Sequence, residues 1–511
     1  MAMELQFLLA LSALLFATTV AREFFKAAVF EHARQGNASI DSAESVIAAN
    51  LDYYRKAGAV AKEKGAELIL FPEYGIFPPS TERREIKKFV EYIPDPKLHR
   101  TNPCDERKVY INRPILYTLS CIAKENNLIV VANTGDIQPC EGKPDCPEDG
   151  VYQFNTNVVF DKDGNLIFRY YKEHLFFEQG MDLPKLNHDP VFKTDLGTFA
   201  TFVCFDIVFK RIAEVSRYTD VDAILFSTFW MNSFAMHTSI QYFEAMALGN
   251  NITFLASNLQ LPGYSATGSG IFTSQNGPLA YTLNPDGISK LVVAKVPLRS
   301  AQNAIQDSYE SSVTLITKNG PRDWEWEDDG RDLPEECDYK KLGAAKDLYK
   351  DYRCMKDVLD NYTVIELTEP SGYVEACKNG MCCSVNYSTD GLKDNFFLGV
   401  FNGTHNSFNR YYWAEENCFL ARCDYLDGKR CNSSIKSSTL FHSLHLTANF
   451  STEYVYPSMM SIGSRLVPKS NWRFDGDIDQ RSIKFENKEG ISLLITSFKG
   501  RCYDRDLPYI R

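Results

Sequence analysis

The sequence predicts an α/β domain followed by a smaller, mainly β domain, and three observations carry that prediction. Short apolar runs alternate with helix-like stretches from Phe24 to about residue 317. A charged stretch with Gly and Pro, Lys318–Lys341, then breaks the pattern. From about Val364, short β-type runs such as VIELTE, FFLGVF, RYYWAE and SLLITSF are separated by turn residues. The chain has 511 residues, which suits two domains better than one.

Taken in order, Phe24–His32 (FFKAAVFEH) reads as a strand. Asp41 and Glu44 have capping-box spacing before a long helical stretch that Gly65 can end. Leu68–Phe71 is a short buried strand leading into Pro72-Glu73. Leu128–Ala132 is another, preceded by the helix-like LYTLSCIAKEN. Phe154–Asp161 and Leu166–Lys172 read as a hairpin turning at Asp163-Gly164. Phe199–Cys204, Ala223–Phe226 and Ile252–Ala256 are further strands, the last following a helix-like Ser233–Leu248. The expected organisation is a signal peptide over 1–21, an α/β domain over 22–317, a linker or surface excursion over 318–355, and a β domain over 356–511.

Apolar residues make up 44% of the chain and charged residues 24%, as in soluble globular proteins. The net charge is −11 and no long Lys/Arg run occurs, so a nucleic-acid partner is not expected. The apolar run Leu5–Val20 has the length of a secretory signal rather than a membrane span, with cleavage expected near Ala21. No later segment is apolar for long enough to span a bilayer, and the terminal YDRDLPYIR lacks the apolar tail of a GPI signal. Sequons stand at Asn37, Asn251, Asn361, Asn386, Asn402, Asn432 and Asn449. With 14 cysteines, half of them beyond residue 370, the pattern points to a disulfide-bonded, glycosylated, secreted protein. Cys140 and Cys146 flank a turn containing Gly142 and Pro144, which makes a local disulfide plausible, as does Cys104 with Cys121. Adjacent Cys382 and Cys383 must take different partners, and the C-terminal connectivity stays open.

Three residues at strand ends have the chemistry of amide cleavage. Glu73 follows LILFP, where a carboxylate entering a dry pocket has a raised pKa and can serve as base and acid. Lys172 ends LIFRYYK and could hold an oxyanion. Cys204 ends FATFVC and could be a nucleophile. Singly, each has a bland reading: a loop glutamate, a solvated lysine, a structural or disulfide cysteine. Together they make a complete base, oxyanion holder and nucleophile.

These segments (LILFPEYGI, RYYKEHLFFE, FVCFDIVF) resemble the nitrilase superfamily, whose catalytic triad is Glu–Lys–Cys. AAVFEH (Ala27–His32), VYQFNTNVVFD (Val151–Asp161), FWMN (Phe229–Asn232), LASN (Leu255–Asn258) and TGSGI (Thr267–Ile271) are similar to its biotinidase/vanin branch. CKNGMCC, LGVFNGTH and GRCYDRD resemble that branch's extra C-terminal domain. The resemblance implies an α-β-β-α sandwich plus a β-rich domain, and a linear-amide hydrolase working through a thioester without metal or organic cofactor. It assigns the triad to Glu73, Lys172 and Cys204, oxyanion contact to the Phe205 N–H, support to Glu178, and pocket lining or support to Trp230, Met231 and Asn232. Tyr74 departs from the Asp of vertebrate members, beside the expected substrate. The implied substrate is pantetheine, with biotin amides such as biocytin as the alternative. A silent binding protein is the alternative of another class, against which the intact triad argues. The sequence leaves the oligomeric state open.

Overall fold

The computed structural model describes residues 22–185, 189–302, 310–323, 359, 361–423, 425–427, 430–432, 436–477 and 479–510. The expected signal peptide and most of the expected linker lie outside these residues. The first region contains β1 (Phe24–Glu31), β2 (Leu68–Leu70), β3 (Ile129–Pro139), β4 (Val151–Phe160), β5 (Leu166–Tyr171), β6 (Val191–Lys193) and β7 (Thr198–Val203). It continues with β8 (Ala223–Ser227), β9 (Thr253–Ser257), β10 (Ser269–Thr273), β11 (Gly277–Thr282), β12 (Ser289–Pro297), β13 (Ser311–Thr317) and β14 (Gly320–Asp323). Its main helices are α1 (Ala43–Glu63), α2 (Pro114–Asn126) and α3 (Ser239–Asn250).

An eight-stranded sheet runs β14-β13-β12-β1-β2-β3-β4-β5, and a six-stranded sheet runs β11-β10-β9-β8-β7-β6. Successive side chains of a strand point to opposite faces. Leu68, Leu70, Ile129 and Val131 therefore face the second sheet, sharing a core with Phe199, Phe202, Leu225 and Phe254. Ile69 and Val130 face the other way, against Leu51 and Tyr54 of α1 and Ile115 and Leu119 of α2. A sheet covered on both faces needs apolar residues at every position, which is why LIL and IVV do not alternate. On the far side, Phe243 of α3 packs on Phe226 and Phe254 of the second sheet. The layers are thus helix, sheet, sheet, helix.

The C-terminal region is a second, all-antiparallel sandwich. Its strands are β15 (Thr363–Glu366), β16 (Ser371–Lys378), β17 (Met381–Thr389), β18 (Phe396–Ser407), β19 (Tyr411–Arg422), β20 (Tyr425–Asp427) and β21 (Arg430–Asn432). They continue as β22 (Phe441–Ala448), β23 (Val455–Ser461), β24 (Arg465–Leu466), β25 (Arg473–Gly476), β26 (Arg481–Ile491) and β27 (Leu493–Arg501). One sheet is β15-β18-β19-β27-β23-β24, the other β16-β17-β22-β26-β25. Their inner faces meet around Val385, Leu398, Leu420, Leu446 and Ile483, and the Cys383–Cys418 disulfide ties β17 to β19 across that core.

This sandwich covers the outer face of α3, which explains a helix buried at every position from Ser239 to Leu248. Gln241 donates to the Ser458 hydroxyl at 3.0 Å. The approach at Gly249 is so close that a Cβ there would lie 2.5 Å from the Val455 carbonyl oxygen, so only glycine fits.

Three boundaries differ from the sequence expectation. The cap of α1 is Ser42, whose hydroxyl accepts the Ser45 N–H at 3.2 Å, while Asp41 accepts from Asn37 in the preceding turn. α3 starts at Ser239 rather than Ser233, because the Asn232 side chain takes the Ser239 N–H at 2.7 Å and residues 233 and 237 pair with each other. The β13–β14 hairpin carries the first sheet past residue 317, into the stretch expected as linker.

Among the described residues, five disulfides join Cys104–Cys121, Cys140–Cys146, Cys377–Cys382, Cys383–Cys418 and Cys423–Cys431. Both N-terminal pairs expected from spacing form, Cys382 and Cys383 take different partners, and Cys204 and Cys502 are free. Among the sequon asparagines, Asn37, Asn251, Asn361, Asn386 and Asn449 are exposed, and Asn402 is half-buried with its amide bonded to the Asn379 carbonyl. The Asn432 side chain lies outside the described residues. Among the described residues no helix is long and apolar enough to cross a membrane.

Candidate active site

Glu73, Lys172 and Cys204 each leave the carboxyl end of a strand: Glu73 beyond β2, Lys172 directly after β5, Cys204 directly after β7. Chain ends of this kind converge where layered sheets build sites. The three residues are buried, Glu73 and Lys172 at 1% and 2% exposure.

Cys204 opens a short 3₁₀ turn, Cys204–Val208, with φ of 43°. A non-glycine residue in that region is held there by its surroundings. The clamp is Asp206. One of its oxygens accepts the Val203 N–H at 3.1 Å and the Tyr170 hydroxyl at 3.0 Å, and the other accepts the His174 N–H at 2.9 Å. The thiol donates to the Phe229 carbonyl at 3.6 Å. The Phe205 N–H lies in the first turn, where N–H groups have no partner within the helix itself.

The hydrogen bonds around the two glutamates are unequal. Glu178 accepts four: Tyr74 hydroxyl (2.6 Å) and Asn155 amide (2.7 Å) on Oε1, Lys172 ammonium (2.6 Å) and Phe176 N–H (2.9 Å) on Oε2. A carboxylate has about four lone-pair sites, so Glu178 is saturated. Glu73 accepts three: Asn155 and Lys172, both at 2.8 Å, on Oε1, and the Phe229 N–H at 2.9 Å on Oε2. Glu73 Oε2 and the Cys204 thiol thus meet at one residue, Phe229, through its N–H and its carbonyl. Lys172 gives two of its three N–H bonds to carboxylates, leaving one for another acceptor.

Burial sets the proton affinities. It pushes the Glu73 carboxyl above the usual carboxylate range; Lys172 opposes this and Glu178 adds to it. Burial alone would lower Lys172, but Glu178 and Glu73 reverse it and hold the ammonium well above its ordinary range. Burial and then Glu73 push the Cys204 thiol up, with Lys172 opposing, so the resting sulfur carries its proton.

Trp230 and Asn232 serve the scaffold. The Trp230 indole donates to the His237 carbonyl at 2.9 Å, and Asn232 donates to the Ser265 and Thr267 carbonyls at 2.8 and 2.9 Å. Met231 pairs through its backbone with Ala266. Sequence reasoning passed over Asn155, although the signal existed. Asn155 and Asn157 sit two apart in β4, hence on one face, and Asn133 of β3 donates to both, at 2.6 and 3.1 Å. The one described group of metal-ligand type, Cys104, Cys121 and Glu125, has its two sulfurs in a disulfide.

The family model for carbon-nitrogen hydrolase matches residues 33–305, and that for the vanin C-terminal domain matches 352–506. The chain is 32% identical to biotinidase of Bos taurus, over 94% of this chain and 93% of that one. It is 31% identical to pantetheinase of Homo sapiens and 33% to pantetheinase of Canis lupus familiaris, each over 95% of this chain and 90% of the relative. With a matched sandwich, a matched C-terminal region and a buried cysteine, lysine and glutamate converging at the strand ends, the chain belongs to the carbon-nitrogen hydrolase family, in the group that carries a vanin C-terminal domain.

Proposed function

We propose that this protein hydrolyses a small linear amide through a thioester on Cys204, pantetheine being the first candidate and a biotin amide such as biocytin the second. The observation that carries this reading is the convergence of three buried groups: the Lys172 ammonium 2.8 Å from the Glu73 carboxylate, and the Cys204 thiol joined to Glu73 through the carbonyl and N–H of Phe229.

Glu73 Oε2 takes the Cys204 proton, and the thiolate attacks the amide carbonyl carbon. The carbonyl oxygen becomes an oxyanion that Lys172 and the Phe205 N–H stabilise. The C–N bond breaks as Glu73 returns the proton to the leaving nitrogen. Glu73 then deprotonates water, which attacks the thioester, and the proton passes back to the sulfur as the carboxylic acid leaves. A base that becomes an acid within one cycle works best with a pKa near the working pH, the direction in which burial moves Glu73. The five disulfides among the described residues support the further proposal that the protein works in an oxidising, extracellular setting.

The test incubates the protein with pantetheine and with biocytin, following cysteamine and lysine, with Cys204→Ala alongside. Cysteamine release that vanishes in the variant is the expected result. Lysine release alone would move the assignment to biotin amides. Undiminished turnover by Cys204→Ala would overturn the mechanism.

A further inference from the structure

The segment that follows Lys172, His174 to Glu178, is held from two sides. On the α/β side, His174 is fixed by Asp206, and the Phe176 N–H by Glu178 at 2.9 Å. On the other side, two tyrosines of the C-terminal region hold the alternate peptides. Tyr411, the first residue of β19, accepts the Phe177 N–H at 2.8 Å, and the Tyr509 hydroxyl donates to the Leu175 carbonyl at 2.6 Å. Phe177 has φ of 53°, a conformation an L-residue keeps only when its neighbours impose it. The next residue is Glu178. The Tyr411 ring also packs 4.9 Å from that of Phe205, whose N–H faces the developing oxyanion in the mechanism above.

We infer that Tyr411 is a positioning residue for the Glu178–Lys172 pair, so that the C-terminal domain is a working part of the active site. The inference rests on the catalytic reading above. Its physical content is one hydrogen bond. Without the Tyr411 oxygen, the Phe177 N–H loses a buried partner, the αL turn loses one of its constraints, and Glu178 is no longer presented at a fixed place to the ammonium. The rings of Phe176, Phe177 and Phe205 still pack against a phenyl group at 411, so the loss falls on geometry rather than on the interface.

The experiment compares wild type, Tyr411→Phe, Glu178→Gln and the double variant as full-length protein. The readouts are kcat, KM and the pH profile on the substrate identified above, the rate of Cys204 alkylation by iodoacetamide against pH, and Tm. Tyr411→Phe is expected to lower kcat about tenfold, the scale of one lost, partly buried hydrogen bond, with KM within about twofold. It should shift the pH dependence of alkylation and lower Tm by no more than a few degrees, the size of one lost hydrogen bond. In the Glu178→Gln background the same change should lower kcat less than about twofold, because the group it positions is gone. Wild-type kcat in Tyr411→Phe, or an equal loss in both backgrounds, would overturn the inference. So would a fall in Tm with kcat and alkylation untouched, which would make Tyr411 structural only. Alkylation needs no substrate, so these outcomes separate from failure of the catalytic reading, which Cys204→Ala reports by itself.

Discussion

Glu244 lies fully buried in α3, and neither carboxylate oxygen has a hydrogen-bond partner among the described residues. Burial raises its pKa from 4.5 to about 8, with Lys469 of the C-terminal region opposing. The folded protein therefore holds a proton here that the unfolded chain releases above about pH 4.5, and stability falls as pH rises from there to about 8. Between pH 6 and 8 the difference between these two values integrates to a loss of about 2 kcal/mol, at 1.36 kcal/mol per unit. His32, lowered by burial from 6.5 to about 3, changes stability with the opposite sign, but only below about pH 6.5. The upper half of the window thus belongs to carboxylates. Glu244→Gln should flatten the slope between pH 6 and 8 by about 2 kcal/mol, read as the midpoint of denaturant unfolding at pH 6, 7 and 8 with the disulfides intact. An unchanged slope in the variant would refute the reasoning and mean that Glu244 stays ionised in the fold.

Two further changes test the site and the domain interface. Asn155→Ala removes one donor from each glutamate and an acceptor from Asn133, and should lower kcat/KM about 10- to 100-fold and stability by roughly 1–3 kcal/mol, as steady-state kinetics and thermal melts would show. Gly249→Ala places a methyl 2.5 Å from the Val455 carbonyl and should destabilise the protein by roughly 1–3 kcal/mol through the α3–β23 contact, measured as a lowered denaturation midpoint.

What the sequence disclosed is what short-range rules govern. Runs such as LIL and IVV must be strands covered on both faces, and the residues that follow such strands gather at one edge, so Glu73, Lys172 and Cys204 were visible as a group. What escaped depends on pairs far apart in the chain. Tyr74 reaches Glu178 across 104 residues, and Phe177 reaches Tyr411 across 234, with no local pattern marking either. The start of α3 escaped for a related reason: its first N–H is capped by Asn232, seven residues earlier, rather than by a residue at the usual capping position. Asn155 belongs between these cases, since its same-face spacing with Asn157 was legible but its two carboxylate partners were not.

The presence of two carboxylates on one buried lysine follows from the proposed cycle. Glu73 alternates between ionised and protonated. Each time it takes a proton, its attraction for the Lys172 ammonium weakens, at the stage when the oxyanion forms and the ammonium is needed most. Burial alone would then favour loss of the lysine proton. Glu178, bonded to Lys172 at 2.6 Å and saturated by its other donors, is a partner that does not take part in the transfer. It keeps the charge on Lys172 steady while Glu73 cycles. In Glu178→Gln that steadiness is lost, Lys172 gives up its proton at lower pH, and kcat should fall most on the basic side of the profile. A uniform loss across pH would mean that Glu178 only shapes the site.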